Sequence, residues 1–307
     1  MDRGSAFADK EVVDLLKESF VSVGISLQED LKAQDPTGEF FRKIVDQRPE
    51  PKHSKQGYYI ASPDGTLLRG WMYPRPDNGT VKKNLKEAIA SYKPPTEIEP
   101  LDESKADPTY KWPAPEGLTI VETRTKIFDA VWPAAVAERF EVIKGTMGHD
   151  RLWITKPEVE ALEKGGLADS LLERIIRFHL GDNTRCYIDR WAREAMQKVH
   201  VEIKRDGQGF VLDGSVSLEQ GARGYNARLS GFIEVKGGAI NRFDLLAQGK
   251  GWGQHNGVNY APVGKFTIVN AFSLAKPGVT FDVRPVWNWV PEYMATKDLR
   301  VGDLRSK

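Results

Sequence analysis

From Val199 onward the chain alternates apolar and polar residues with a period of two, in blocks separated by glycine-bearing breaks. That period sends successive side chains to opposite faces of a pleated strand, so each block predicts a half-buried β-strand and excludes an amphipathic helix. VHVEIKRDGQGFVLDGSVSLEQ reads as a hairpin turning at Asp206-Gly207, and ARLSGFIEVKGGAINRFDLLAQGKGWG as a second turning at Gly237-Gly238. KFTIVNAFSLA predicts a long strand, and VTFDVRPVWNW another. Consecutive strands joined by short turns predict an antiparallel meander, curved and with barrel-like closure as the further expectation.

Upstream, helix and strand signals mix, which makes this half α+β. GLTIVETRTKIF alternates as a strand. Thr155-Lys156-Pro157-Glu158 is a capping box with proline in the first turn, opening a helix that ends at Gly165-Gly166. Residues 168–180 predict a second helix with Leu172, Ile175, Ile176 and His179 on one face. A further short helical turn is expected near Trp191–Gln197.

The stretch SYKPPTEIEPLDESKADPTYKWPAPEG carries six prolines and no periodicity, as a linker or surface strap would. It divides the chain into an expected first domain at 1–93, a linker at 94–115 and a second domain at 116–307. In the first domain Asp9 is placed to cap a helix over 10–19, FVSVGISL reads as a strand, and Phe40, Phe41, Ile44 and Val45 mark a second helix. GYYIASPDGTLLRGW is a hairpin around Pro63-Asp64-Gly65-Thr66. Asn78 opens a last helix whose apolar face is Val81, Leu85, Ala88, Ile89 and Tyr92.

Charge narrows the partners. Lys plus Arg is 44 and Asp plus Glu is 43, which offers no electrostatic basis for nucleic acid or an anionic membrane. No apolar run approaches the roughly 18 residues of a membrane span, and residues 1–10 hold no apolar leader core. The one cysteine, Cys186, cannot form an internal disulfide or a cysteine-based metal cluster. No cofactor and no metal are expected. The chain as given fits a cytoplasmic location, and a native start further upstream would fit a periplasmic or secreted one.

Two resemblances follow. Met1, Asp2, Phe7, Asp9, Val12, Leu16, Phe20, Val21 and Val23 match the pattern that follows the CxxC motif in thioredoxin-like proteins, and YYIASPDGTLLRG is similar to that family's central hairpin. The resemblance implies a thioredoxin-like α/β domain lacking its first strand and its redox cysteines. Two expectations follow from it: a start set downstream of a CxxC, or a domain without thiol chemistry. The segment His53-Ser54-Lys55-Gln56-Gly57 lacks the cis-proline that the family places before its hairpin, which favours the second. A missing first strand would leave a sheet edge open to a partner or to a second copy. In the other half, IIRFHLGDNTR, RGYNARLSGFIEV, RFDLLAQGKGWG and APVGKFTIVNAFSLA are similar to blocks of bacterial proteins, notably from planctomycetes. That resemblance implies a shared domain and no particular activity.

Three polar clusters are candidate sites. FHLGDNTR holds His179, Asp182, Asn183 and Arg185, readable as a helix cap with an Asx-turn or as a ligand site. RFDLLAQGKGWGQHNG holds Arg242 and Asp244 on one strand face, then Trp252 and His255 in what reads as a glycine-rich loop suited to a small polar ligand. GHDRLWIT holds His149, Asp150, Arg151 and Trp153. The ligand-binding expectation joins the first two clusters. No HExxH or GxSxG spacing supports a metalloprotease or a serine hydrolase. The functional expectation is a non-catalytic binding or scaffolding protein with an unidentified protein or small-molecule partner. A redox protein with an upstream CxxC, and an enzyme or ligand binder sited in the second domain, are the alternatives.

Overall fold

A computed structural model describes residues 9–25, 27, 30–48, 55–72, 78–98, 100–105, 107, 117–137, 145–184, 190–254, 260–276 and 290–294. The chain divides into two compact units, 2–113 and 114–307.

In the first unit, α1 (Lys10–Ser19) is capped by Asp9, whose carboxylate accepts from the N–H groups of Glu11 and Val12. Helix α2 (Pro36–Asp46) is capped by Asp35 and has proline in its first turn. Strands β1 (Gly57–Ala61) and β2 (Leu67–Met72) pair antiparallel around the expected turn, where Gly65 takes φ +81. Helix α3 (Asn78–Ser91) buries Val81, Leu85 and Ala88, while Ile89 is exposed. These elements share a small core of Val12, Ile60, Val81, Leu85 and Ala88, with Leu15, Leu16, Phe20, Leu68 and Trp71 packed against it.

One expectation for this unit fails. FVSVGISL forms no ladder among the described residues, and Val21 is 92% exposed. Alternation specifies which face a strand would bury, but a strand also needs a neighbour for its backbone groups. The proline-rich stretch is partly fastened to the start of α2: Gln34 N–H donates to Asp107 Oδ2 at 3.0 Å, and Asp107 N–H to Asp35 Oδ2 at 2.7 Å.

The second unit is built on one seven-stranded antiparallel sheet. Its strands are β3 (Thr119–Phe128), β4 (Gly148–Ile154), β5 (Met196–Asp206), β6 (Gly209–Gln220), β7 (Arg223–Lys236), β8 (Ala239–Trp252) and β9 (Lys265–Leu274). The order is β4-β3-β9-β8-β7-β6-β5. The meander from β5 to β9 is the expected one. Barrel closure is not present: β4 and β5 are the two edges and do not pair. The strand expected at VTFDVRPVWNW, residues 279–289, lies outside the described residues. Where a helical turn was expected at 191–197, a 3-10 turn spans Arg193–Ala195 and β5 begins at once.

One sheet face packs on α4 (Lys156–Glu163) and α5 (Asp169–Arg174), the latter running on as a π-helical turn over Ile175–His179. The alternation sorts the strands cleanly. In β9, Phe266, Ile268, Asn270 and Phe272 face the core, while Lys265, Thr267 and Ser273 face away. A short helix, α6 (Val290–Met294), places Tyr293 fully inside.

The loop leaving β3 is pinned by Asp129, a non-glycine residue at φ 49. Its carboxylate accepts from Thr267 N–H at 2.7 Å, Thr267 Oγ1 at 2.9 Å and Lys250 Nζ at 2.7 Å. The Lys250 ammonium chiefly, then the Thr267 amide, hold the Asp129 carboxyl down from the ordinary 3.8 to about 2. A carboxyl whose folded pKa lies below its unfolded pKa stabilises the fold above the unfolded value, and that contribution is lost as pH falls through the folded one. The stability gap between the native chain and Asp129→Asn should therefore be widest above roughly pH 5 and close towards pH 2. Urea unfolding across that range measures it, and a gap indifferent to pH would show that the carboxylate charge does not contribute.

Candidate functional site

Every residue of the helical stretch LLERIIRFHL is buried. Its charged residues must then find partners inside the protein, because an isolated buried charge costs several kcal/mol. Each of them does. Arg174 pairs with Glu158, both side chains being almost fully buried. Glu158 also accepts from Ser170 Oγ at 2.5 Å and, as the last member of the capping box, from Thr155 N–H at 2.9 Å. Arg177 donates to Glu173 Oε1 at 2.5 Å, Glu292 Oε1 at 2.6 Å and the Trp191 carbonyl at 2.8 Å. Arg193 reaches Glu173 from the other side at 3.0 Å.

The π-helical turn ends at His179, which is buried between β4 and α6. Its Nε2 lies 3.0 Å from the Tyr293 hydroxyl, and its Nδ1 edge faces Asp150 Oδ2 at 3.5 Å. The Tyr293 oxygen accepts the Trp153 N–H at 3.1 Å. Trp153 lies on edge strand β4, so this amide is one that no neighbouring strand takes up. The four groups fit together when the phenol donates to Nε2 and the Nδ1–H faces Asp150. Burial pushes the Tyr293 phenol far above its usual range. It is thus kept as a hydroxyl, a hydrogen-bonding group and not a phenolate nucleophile.

Beyond His179 the chain turns sharply. Asp182 accepts from Thr184 N–H at 2.8 Å and Thr184 Oγ1 at 2.6 Å, an Asx-turn. Asn270, from β9, fastens the turn by donating to the Gly181 carbonyl and to Thr125 Oγ1, each at 2.8 Å, and by accepting the Gly181 N–H at 3.3 Å. Asn183 is buried, and its Oδ1 meets no hydrogen-bond donor among the described residues.

The structure thus brings His179, Asp182 and Asn183 to the core side of the sheet. Asp244 and Trp252 lie on the opposite, solvent-facing side. Asp244 forms an ion pair with Arg242 at 2.5 Å. The Trp252 ring covers Gly224, where an added Cβ would come within 2.0 Å of it, and Lys265 Nζ sits 4.6 Å from the ring centroid. These five residues do not form one site. Arg185, Cys186 and His255 lie outside the described residues. The third cluster is split by strand alternation: Asp150 points inward to His179, while His149 and Arg151 flank Glu122 and Arg124 on the outer side. Burial lowers the His149 pKa.

Sequence reasoning missed Glu158, Glu173, Arg174, Arg177, Asn270, Glu292 and Tyr293 as members of this cluster. Glu173, Arg174 and Arg177 share one face of their helix, which from sequence alone reads as a solvated face, so nothing local marked them as buried. On the outer face a shallow hollow of about 360 Å³ is lined by Arg228, Ser230, Leu246, Gln248, Lys250 and Thr267. Both of its cations are already paired, Arg228 with Asp213 and Lys250 with Asp129. Among the described residues no group of three or more His, Cys, Asp or Glu side chains is placed to hold a metal, and no helix is long and apolar enough to cross a membrane. No family model, no curated protein and no solved structure matches the chain.

Proposed function

We propose that the chain is a non-catalytic protein, with a thioredoxin-like first unit that lacks redox cysteines and a second unit that binds or scaffolds a partner. The observation that carries this reading is the buried chain of contacts Asp150–His179–Tyr293–Trp153, hydrogen-bonded from His179 to Trp153 and electrostatic between Asp150 and His179. Its histidine faces groups of the protein, and its phenol is held protonated by burial. Such a chain holds elements in place. The thioredoxin-like reading of the first unit rests on α1, the β1–β2 hairpin and α3 meeting in one core, together with the resemblance of the residues. A thiol exchanger needs a low-pKa thiolate at a helix N-terminus, and the one cysteine of this sequence is Cys186.

The test is the reduction of insulin by dithiothreitol, followed by turbidity. The chain should not accelerate it above the uncatalysed rate. Sustained turnover that disappears in Cys186→Ser would sink the reading.

A further inference from the structure

Helix α6 is five residues long, too short to hold a helical shape by itself. Two of its side chains place it. Glu292 lies with Oε1 2.6 Å from Arg177 Nη2 and Oε2 2.6 Å from Arg190 Nε, the second contact being off the hydrogen-bond axis and so electrostatic. Tyr293 fills a slot. Its hydroxyl meets His179 Nε2 and the Trp153 N–H, the Arg174 guanidinium lies 5.4 Å from its ring centroid, and the Phe178 ring approaches edge-on at 5.2 Å.

Most walls of this pocket have partners outside α6, while the Arg190 guanidinium and His179 Nε2 make their contacts to Glu292 and Tyr293. Arg177 is held by Glu173 and the Trp191 carbonyl, and Arg174 by Glu158. His179 ends a buried helix whose following turn is fastened by Asn270, and Trp153 sits in a ladder with Ile120. All these residues lie more than a hundred positions before the segment they hold. A clamp for a carboxylate, anchored through Arg177, beside a slot with two hydrogen-bonding groups for a phenol is a two-point recognition site.

We infer that this pocket is a recognition site for an acidic–aromatic peptide segment, and that Glu292-Tyr293 occupies it in cis as a built-in ligand. A segment of the same chemistry from another chain competes for the site. The cis segment has the advantage that binding within one chain gives it a high effective concentration. Selectivity follows from the walls. A ligand with glutamine for glutamate leaves the clamp of Arg177 and Arg190 without the charge it holds. One with phenylalanine for tyrosine strands the Trp153 N–H and His179 Nε2. The inference rests on reading the second unit as a binding unit.

The experiment vacates the pocket in the full chain with Glu292→Ala/Tyr293→Ala and supplies a fluorescein-labelled peptide spanning Val290–Met294, read by anisotropy. The double variant should bind the peptide saturably and at least about tenfold more tightly than the unaltered chain, in which the cis segment competes. A glutamine or a phenylalanine in the peptide should each weaken binding about tenfold. Equal binding by both proteins, no binding by a double variant with native circular dichroism, or indifference to both peptide changes would overturn the assignment. If the double variant does not fold unaided, millimolar peptide should restore its native circular dichroism, and failure to restore it overturns the assignment equally. A negative result with no insulin turnover removes the pocket and leaves the binding reading intact. Turnover removes that reading whatever the peptide does.

Discussion

Arg174→Ala should cost about 3–5 kcal/mol, whereas Arg174→Met combined with Glu158→Met should cost no more than about 2 kcal/mol. The asymmetry comes from burial. Both side chains are almost fully hidden from water. Removing the guanidinium leaves the Glu158 carboxylate with Ser170 Oγ and the Thr155 amide as donors but no countercharge. A dipole on each side does not replace a cation in a low dielectric. The double replacement removes both charges at once and keeps an apolar side chain against the Tyr293 ring. Its residual cost is the lost half of the capping box. Urea unfolding of the three proteins, with unchanged slopes, measures the comparison. Equal losses in the single and double variants would mean that packing, and not the charge pair, sets the stability here.

The same buried pair shows where sequence reasoning reaches and where it stops. Local chemistry was legible. Asp9 caps its helix because an N-terminal carboxylate satisfies amides that have no partner in the first turn. Alternation named the five strands from β5 to β9 in order, since one buried face fixes which residues point inward. What alternation does not specify is a strand's neighbour. The period predicts a strand for FVSVGISL as firmly as for β9, and among the described residues only β9 finds a ladder. Closure is equally beyond it, because a barrel and an open sheet share one pattern and differ in whether the edges meet.

The candidate site divides along the same line. Asp182 as an Asx-turn residue was legible, being a contact across two residues. Tyr293 was not, because it meets His179 across 114 positions and lies in a short segment without periodicity. Asn270 looked like an ordinary member of an alternating strand until its inward position placed it against the Gly181 turn. Grouping Asp244 and Trp252 with His179 failed for a related reason. Proximity in composition says nothing about which side of a sheet each residue occupies.

The glycine-rich run before Trp252 supplies the second large expectation. Spacing of this kind reads as a loop, yet Gly249 and Gly251 are strand residues of β8, paired with Ala227 and Tyr225 of β7. The physical requirement at Gly249 is space and not a turn. A Cβ there would stand 1.8 Å from the Asn226 carbonyl oxygen and 2.5 Å from the Ala227 Cα, both backbone atoms that move only if the ladder moves. Gly249→Ala should therefore cost about 2–3 kcal/mol by overpacking. Gly238, in the β7–β8 turn, is the contrast: it needs φ +73, and a Cβ added there would meet nothing within 4 Å. Asparagine tolerates that backbone, so Gly238→Asn should cost at most about 1 kcal/mol. Chemical unfolding of the two variants side by side separates close approach from backbone conformation as the reason for a glycine. If Gly249→Ala proved as mild as Gly238→Asn, β7 and β8 would not lie that close, and the run could be a ligand-bearing loop after all.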